Sequence, residues 1–475
     1  MVKNLKPVFI IMLSLLLLSC STPYELDENL RQSHAPTQWS ENLLTEQVKG
    51  NWFEQLQNEQ IHQLVDIALN NNFQLKQQAF AIGIQQQQLI IAGSDLWPSL
   101  DTSLNGSRRK TAPDNSSATY GNSASLDLDL RYELDLWGKL SDAQRQANLE
   151  LMAQKATFEQ AKQQLVADVT KAWFAVIEAN KLLALYQQRL KNNQQNLLII
   201  ESAYQQGLKN ALDVYLTRNE VNNELSRKSE QQTKKTIAIR NLEQLLGQYP
   251  EGKLFVEAEL PLLSSEIPLG LPSDLVSRKP SLMASWYQLL AKDSALAYAY
   301  KQRFPSVSIT ASLFNNQQDI SDLLSTSSLG WSLLGNITMP LFNAGKLEAN
   351  EEKTRLILKQ TEQNYLSTLY DAFADVENSV TYETSLKERY QMMIKAQENA
   401  IAAETLSFEQ YQSGLVEYTT VLDAQSRSYD AQSTVIQIKN QLIVNRINLH
   451  IALGGSFSET SLVEDAQAET QGKGN

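Results

Sequence analysis

The sequence predicts a mainly α-helical chain with a membrane β-barrel portion, in which a β-hairpin and a long coiled-coil-like helical hairpin form one unit that occurs twice. Three observations carry this. The run Leu126 to Leu136, LDLDLRYELDL, alternates apolar and charged residues, and successive side chains of a strand point to opposite faces. From Leu165 to Tyr204 one face of the chain repeats in alternating steps of four and three, the 3.5-residue period of a supercoiled helix. Short motifs then recur at a constant displacement of 207 positions, the mark of an internal repeat.

In chain order, Lys3 and Lys6 precede an apolar run from Val8 to Leu18. It is too short to span a bilayer and reads as an export signal over residues 1–19. Its end, LLSC, resembles the lipobox of bacterial lipoproteins; by that resemblance the chain is cut before Cys20, which then receives lipid. Cys20 is the only cysteine, so no disulfide forms within one chain. A plain unmodified cysteine is the bland alternative. Residues 20–50, with Pro23 and Pro36, read as a loose leader. Net charge is −12, and the charges are mixed rather than blocked, which gives no basic patch for nucleic acid.

A first structural repeat is expected over residues 51–249. Ile61, Leu64, Val65, Ala68 and Leu69 fall at helical spacing. A β-hairpin follows over 99–137, with Arg108 to Asn122 as its polar outer loop because Pro113, Asp114, Asn115 and Gly121 form turns. Its second strand places Leu126, Leu128, Leu130, Tyr132, Leu134 and Leu136 on one face. Asp127, Asp129, Arg131, Glu133 and Asp135 lie on the other, too many charges for a dry core. An ordinary half-exposed strand has this pattern; so does a barrel strand with leucines toward lipid and charges toward a wet lumen, and the length suits one. A helical hairpin over 139–247 comes next, turned at Gly207; its first arm would run about 97 Å at 1.5 Å per residue.

The second repeat is expected over 271–455, with a hairpin at 306–342 and a helical pair at 345–454, after a proline-punctuated linker over 250–270. Trp97-Pro98-Ser99 recurs as Phe304-Pro305-Ser306, Gly138-Lys139-Leu140 as Gly345-Lys346-Leu347, and Tyr204 to Leu208 as Tyr411 to Leu415, each at 207. Residues 456–475 form a polar tail. Four strands cannot close a barrel, and lipid does not tolerate open edges. Three copies pooling their strands would make a twelve-stranded barrel, a size such barrels adopt, and would gather the helices into a tube.

At these residues the chain resembles a TolC-like outer-membrane factor of the OprM and NodT lipoprotein branch. The carrying motifs are LLSC, DLWPSL and RFPSV at the helix-to-strand junctions, YELDLWGKL and MPLFNAGKL after the strands, and the paired YxxGL turns. The resemblance implies a homotrimer: a twelve-stranded β-barrel in the outer membrane, continued by a periplasmic α-barrel. It also implies an exit duct for efflux or secretion, docked to a periplasmic adaptor (membrane fusion) protein and working beside an inner-membrane pump. By motif, Gly207, Leu208, Gly414 and Leu415 become adaptor-contacting tips. Asp423 matches an aperture carboxylate, and Thr420 stands where the family has another. Asp213 and Tyr411 match a gate-holding pair, while Val416 replaces the arginine of that network. Asp127, Asp129, Arg131, Glu133 and Asp135 would line the pore.

No catalytic, metal or cofactor constellation is expected. His34, His62 and His450 are scattered, and no nucleophile elbow or phosphate-cradling loop occurs. A structural or adhesive coiled-coil lipoprotein without a channel is the rival reading; it accounts for the heptads but not for four duplicated alternating strands.

Overall fold

The computed structural model describes residues 34–40, 53, 58–112, 118–261, 269, 272–325 and 328–455. Cys20, the export signal, most of the leader, the tail and Pro113 to Asn115 lie outside the described residues. In chain order come α1 (Glu59–Asn71), α2 (Phe73–Ser94), β1 (Ser99–Thr111), β2 (Thr119–Leu134), α3 (Lys139–Gln205) and α4 (Ala211–Leu245). They are followed by α5 (Pro272–Arg278), α6 (Pro280–Lys301), β3 (Ser306–Gln317), β4 (Gly330–Thr338), α7 (Lys346–Gln412) and α8 (Tyr418–Ala452). Both ends of α3, α4 and α2 recur at 207 in α7, α8 and α6. The left-handed glycines Gly138, Gly207 and Gly247 recur at 207 as Gly345, Gly414 and Gly454. Duplication thus extends from sequence to helix ends.

Contacts divide the chain into two units, one centred on Ala81–Lys155 and Ala284–Ser367, the other on Ala35–Phe80, Ala156–Met283 and the chain from Thr368. The first unit holds one antiparallel sheet in the order β1-β2-β3-β4. Leu130 stands between Leu100 and Ala311, and Leu128 between Thr102 and Leu313. Ala311 continues to Leu333, and Leu313 to Trp331. One face is therefore an apolar band across all four strands, and much of it is exposed, from Leu100 and Leu104 to Trp331 and Ile337. The outer edges of β1 and β4 have no strand beside them among the described residues.

Two expectations about the first hairpin are corrected. The strands run on to Thr111 and resume at Thr119, so Arg108 to Asn122 is mostly paired strand. The guanidinium of Arg108 lies 5.3 Å from the ring centre of Tyr120, and the Lys110 ammonium 5.8 Å, cation–ring contacts that suit paired strands. At the other end β2 stops at Leu134. Asp135 is not a strand residue: its carboxylate accepts the backbone N–H groups of Leu140 and Ser141, both at 2.9 Å, and so caps the start of α3. Just beyond, the Trp137 indole donates to the Pro305 carbonyl at 2.7 Å and packs on Phe304, tying the end of one hairpin to the start of the next.

In the second unit, Asn58 caps α1, and Ile61, Leu64, Val65 and Ala68 are buried. They join Val166, Val169, Trp173 and Ile177 of α3, Leu242 and Leu246 after it, and Ile443 and Ile447 of α8 in one core. Further along α3, Val176, Ala179, Leu183, Leu190, Asn193 and Ile200 of the 3.5-residue seam are buried. Tyr204, its last member, is 47% exposed. Trp39 of the leader is buried edge-on to Phe373, and the backbone N–H of Ser40 donates to Glu377. Among the described residues no helix is long and apolar enough to cross a membrane.

Candidate functional site

Two regions hold the residues singled out by sequence. The first is the polar face of the sheet. Asp127, Asp129, Arg131 and Glu133 share it with Asp101, Ser103, Ser308, Thr310 and Ser312. Asp101 stands directly opposite Asp129, a pairing of like charges that only a wet face accommodates. The carboxylates are held by small donors. Ser125 donates to Asp127 at 2.9 Å and Ser312 to Asp129 at 2.5 Å, while Arg131 lies 3.6 Å from Asp129. Glu133 pairs with Lys139 at 2.6 Å. Asp135 is absent from this face for the reason given above.

The second region is the pair of turns between α3 and α4 and between α7 and α8. Each helix ends in the same way. Gly207 takes φ +73° and Gly414 φ +76°. The Leu208 N–H returns to the Ala203 carbonyl, and the Leu415 N–H to that of Gln410, both at 2.9 Å. These are the long-range bonds of a glycine-terminated helix. A side chain at either glycine would meet nothing within 4 Å, so conformation rather than space requires glycine. Leu208 and Leu415 stand in solvent, 70% and 75% exposed.

Asp213 and Tyr411 are brought together. Asn210 caps α4 by accepting the Asp213 N–H, and the aspartate itself is buried in this first turn. There it accepts the Tyr411 hydroxyl at 2.8 Å, and both residues are buried. Burial, then the adjacent Asp213, hold the Tyr411 phenol well above the usual range, so it is a donor at any physiological pH. The Tyr411 ring lies 5.1 Å from that of Tyr418, in a cluster with Ile200, Val214 and Val421. Val416 packs against the same cluster, so the position where the family network has an arginine is filled by apolar contact.

Thr420 and Asp423 are elsewhere, on the exposed face of α8. Asp423 meets Arg427 one turn on at 2.9 Å, both side chains largely exposed. Sequence reading missed Arg427, though its spacing of four from Asp423 signals the pair.

It also missed Lys209 and a buried charge cluster. The Lys209 ammonium donates to the Tyr411 carbonyl at 2.8 Å and lies 3.8 Å from the centre of the Tyr411 ring. Higher in the same unit, Arg189 of α3 meets Glu224 of α4 at 3.0 Å, and Arg227 meets the same Glu224 oxygen at 2.5 Å. The Arg189 guanidinium also lies 4.0 Å from the ring centre of Tyr429 on α8. Among the described residues no three His, Cys, Asp or Glu side chains are grouped to hold a metal.

Comparison with known proteins gives matches that agree. A family model described as outer membrane efflux protein matches residues 64–248 and again 271–455. A probable outer membrane lipoprotein of Salmonella typhimurium, SilC, is 27% identical over 410 residues, covering 84% of this chain and 86% of its own. A crystal structure of CusC, described in terms of folding and transmembrane channel formation, superposes with a TM-score of 0.83 at 25% identity, covering 92% of this chain and 99% of its own. The Campylobacter jejuni outer membrane channel CmeC superposes at 0.84, covering 95% and 96%; at 22% identity it speaks for the fold alone.

Proposed function

Since the chain belongs to the outer membrane efflux protein family, we propose that three copies form the exit duct of a tripartite efflux system. It is an outer-membrane efflux channel with its helical hairpins in the periplasm. The finer reading is that the duct is a passive conduit which docks a periplasmic adaptor and works beside an inner-membrane pump. Homotrimerisation is part of that finer reading.

The observation that carries it is the one-sided sheet with two open edges. Its apolar face is exposed across all four strands, and its polar face carries like charges in register. In lipid every backbone N–H and C=O needs a partner, so the free edges of β1 and β4 must be closed by other copies. Twelve strands then place the leucines toward lipid and Asp127, Asp129, Arg131 and Glu133 toward the lumen. The exposed apolar sheet face also weighs against a channel-less coiled-coil rod.

Leu208 and Leu415, exposed beside Gly207 and Gly414, offer apolar knobs for the adaptor at the periplasmic tips. Tyr411 and Asp213 hold the tip closed, and Thr420 and Asp423 face the aperture. Cys20 carries the lipid that assists anchoring; unchanged incorporation of labelled fatty acid in Cys20→Ala would remove that assignment. The duct itself is tested by purifying the protein in detergent and recording in planar bilayers. Trimers that conduct are expected; a water-soluble rod without conductance would overturn the reading.

A further inference from the structure

The two tip turns are copies displaced by 207, yet they differ at several paired positions, three of which belong to the closed-state contacts. Lys209 corresponds to Val416, Asp213 to Thr420, and Tyr411 to Tyr204. On one side all three polar groups meet: the Tyr411 hydroxyl on Asp213, and the Lys209 ammonium on the Tyr411 carbonyl and ring. On the mate side stand a half-exposed tyrosine, an exposed threonine and a valine packed among apolar neighbours. The set is built once, between the end of α7 and the turn that opens α4.

The carbonyl that Lys209 reaches lies in the last turn of α7, where it also accepts the Gly414 N–H at 3.1 Å and where the helix dipole is negative. A half-buried ammonium there makes a charge-assisted bond and faces the ring at the same time. Lys209 sits two residues beyond the left-handed Gly207 and next to Leu208, which is 70% exposed. A pull on Leu208 therefore acts on the neighbouring residue that grips the other hairpin.

We propose that Lys209 is a positioning residue of the tip, the cation that fastens the first turn to the end of α7, so that the closed-state hold is asymmetric, with both of its charged groups supplied by the first repeat. This rests on the reading of Tyr411 and Asp213 as the closed-state pair. The test is planar-bilayer recording of purified wild type, Lys209→Met, Lys209→Gln, Lys209→Arg and Asp213→Asn, each scored for trimer yield. Loss of one charge-assisted bond should raise the time-averaged conductance of Lys209→Met and Lys209→Gln about ten-fold at unchanged trimer yield. Lys209→Arg, which keeps the cation, should stay near wild type. Wild-type conductance in Lys209→Met and Lys209→Gln, with Asp213→Asn opened, would overturn the role of Lys209 and leave the closed-state pair standing. If Asp213→Asn also stayed closed, both readings would fall. Lys209→Arg conducting like Lys209→Met would show that charge is not the holding group. Loss of trimers in both neutral variants would make Lys209 a folding residue, which overturns the proposal as well.

Discussion

Arg189 and Glu224 meet at 3.0 Å with side chains 4% and 0% exposed, an ion pair between α3 and α4 sealed from solvent. Glu224 also receives Arg227, and Tyr429 covers the Arg189 guanidinium. Two charges removed from water are costly, so the pair is worth less than its geometry implies, but breaking one half strands the other. Glu224→Leu should therefore destabilise each chain by roughly 3–5 kcal/mol, whereas Arg189→Met with Glu224→Leu should recover most of that loss. Chemical denaturation of the purified protein distinguishes the two. Equal losses in the single and double variants would mean that Glu224 acts on Arg227 rather than Arg189.

Acid should weaken the fold through His450. Burial, then the nearby Arg446, push its imidazole down to about 4, against the pull of Glu383. The folded chain thus releases this proton before the unfolded chain does as pH rises. Between about pH 6.5 and pH 4 the unfolded state binds more protons, and stability falls as pH falls. The full effect is about 3 kcal/mol per chain. Thermal melts at pH 7 and pH 5 should show a smaller drop for His450→Gln than for wild type. Parallel drops would assign the acid sensitivity to other groups.

Much of this was legible from periodicity alone, because the period of a pattern is fixed by backbone geometry. The 3.5-residue seam of α3 and the displacement of 207 needed no tertiary knowledge. Asp135 misled because it extends the alternation by one step past the end of β2, and only the start of α3 at Lys139 decides what its carboxylate accepts. Arg189 and Glu224 escaped because charged residues on a helix read as solvated, and burial depends on partners 35 positions apart. Lys209 escaped for the same reason. Its partner Tyr411 lies 202 positions away in the other repeat, and comparison with Val416 at 207 is a signal that the two turns are not equivalent.

The face assignment of β2 predicts opposite outcomes for neighbouring residues. Leu130 lies in the apolar band and Asp129 on the polar face, bonded to Ser312. Leu130→Arg places a cation toward lipid, at a cost of roughly 2–4 kcal/mol near the midplane, and should lower the trimer yield. Asp129→Asn should leave the yield intact and change ion selectivity. Equal loss of trimer in both would reverse or abolish the assignment.

At the proposed aperture the Asp423 charge does not stand alone. Arg427 reaches it at 2.9 Å from one turn further along α8, and both side chains are mostly exposed. An exposed pair of this kind is loosely held and screened by salt. Around the threefold axis of the proposed trimer it would form a ring of carboxylates partly offset by a ring of guanidiniums, rather than a purely acidic constriction. Removing one member should therefore shift selectivity in a direction set by the member that remains. Asp423→Ala leaves Arg427 unopposed and should move the reversal potential toward anions while abolishing block by multivalent cations. Arg427→Gln leaves Asp423 unopposed and should do the reverse, with stronger cation selectivity and tighter multivalent block. Both shifts should shrink in high salt, because the groups are exposed. Single-channel recording across a salt gradient measures all of this without altering assembly. Reversal potentials unchanged in both variants would place this face of α8 outside the conducting path, and the aperture would then have to be formed by other residues of the tip.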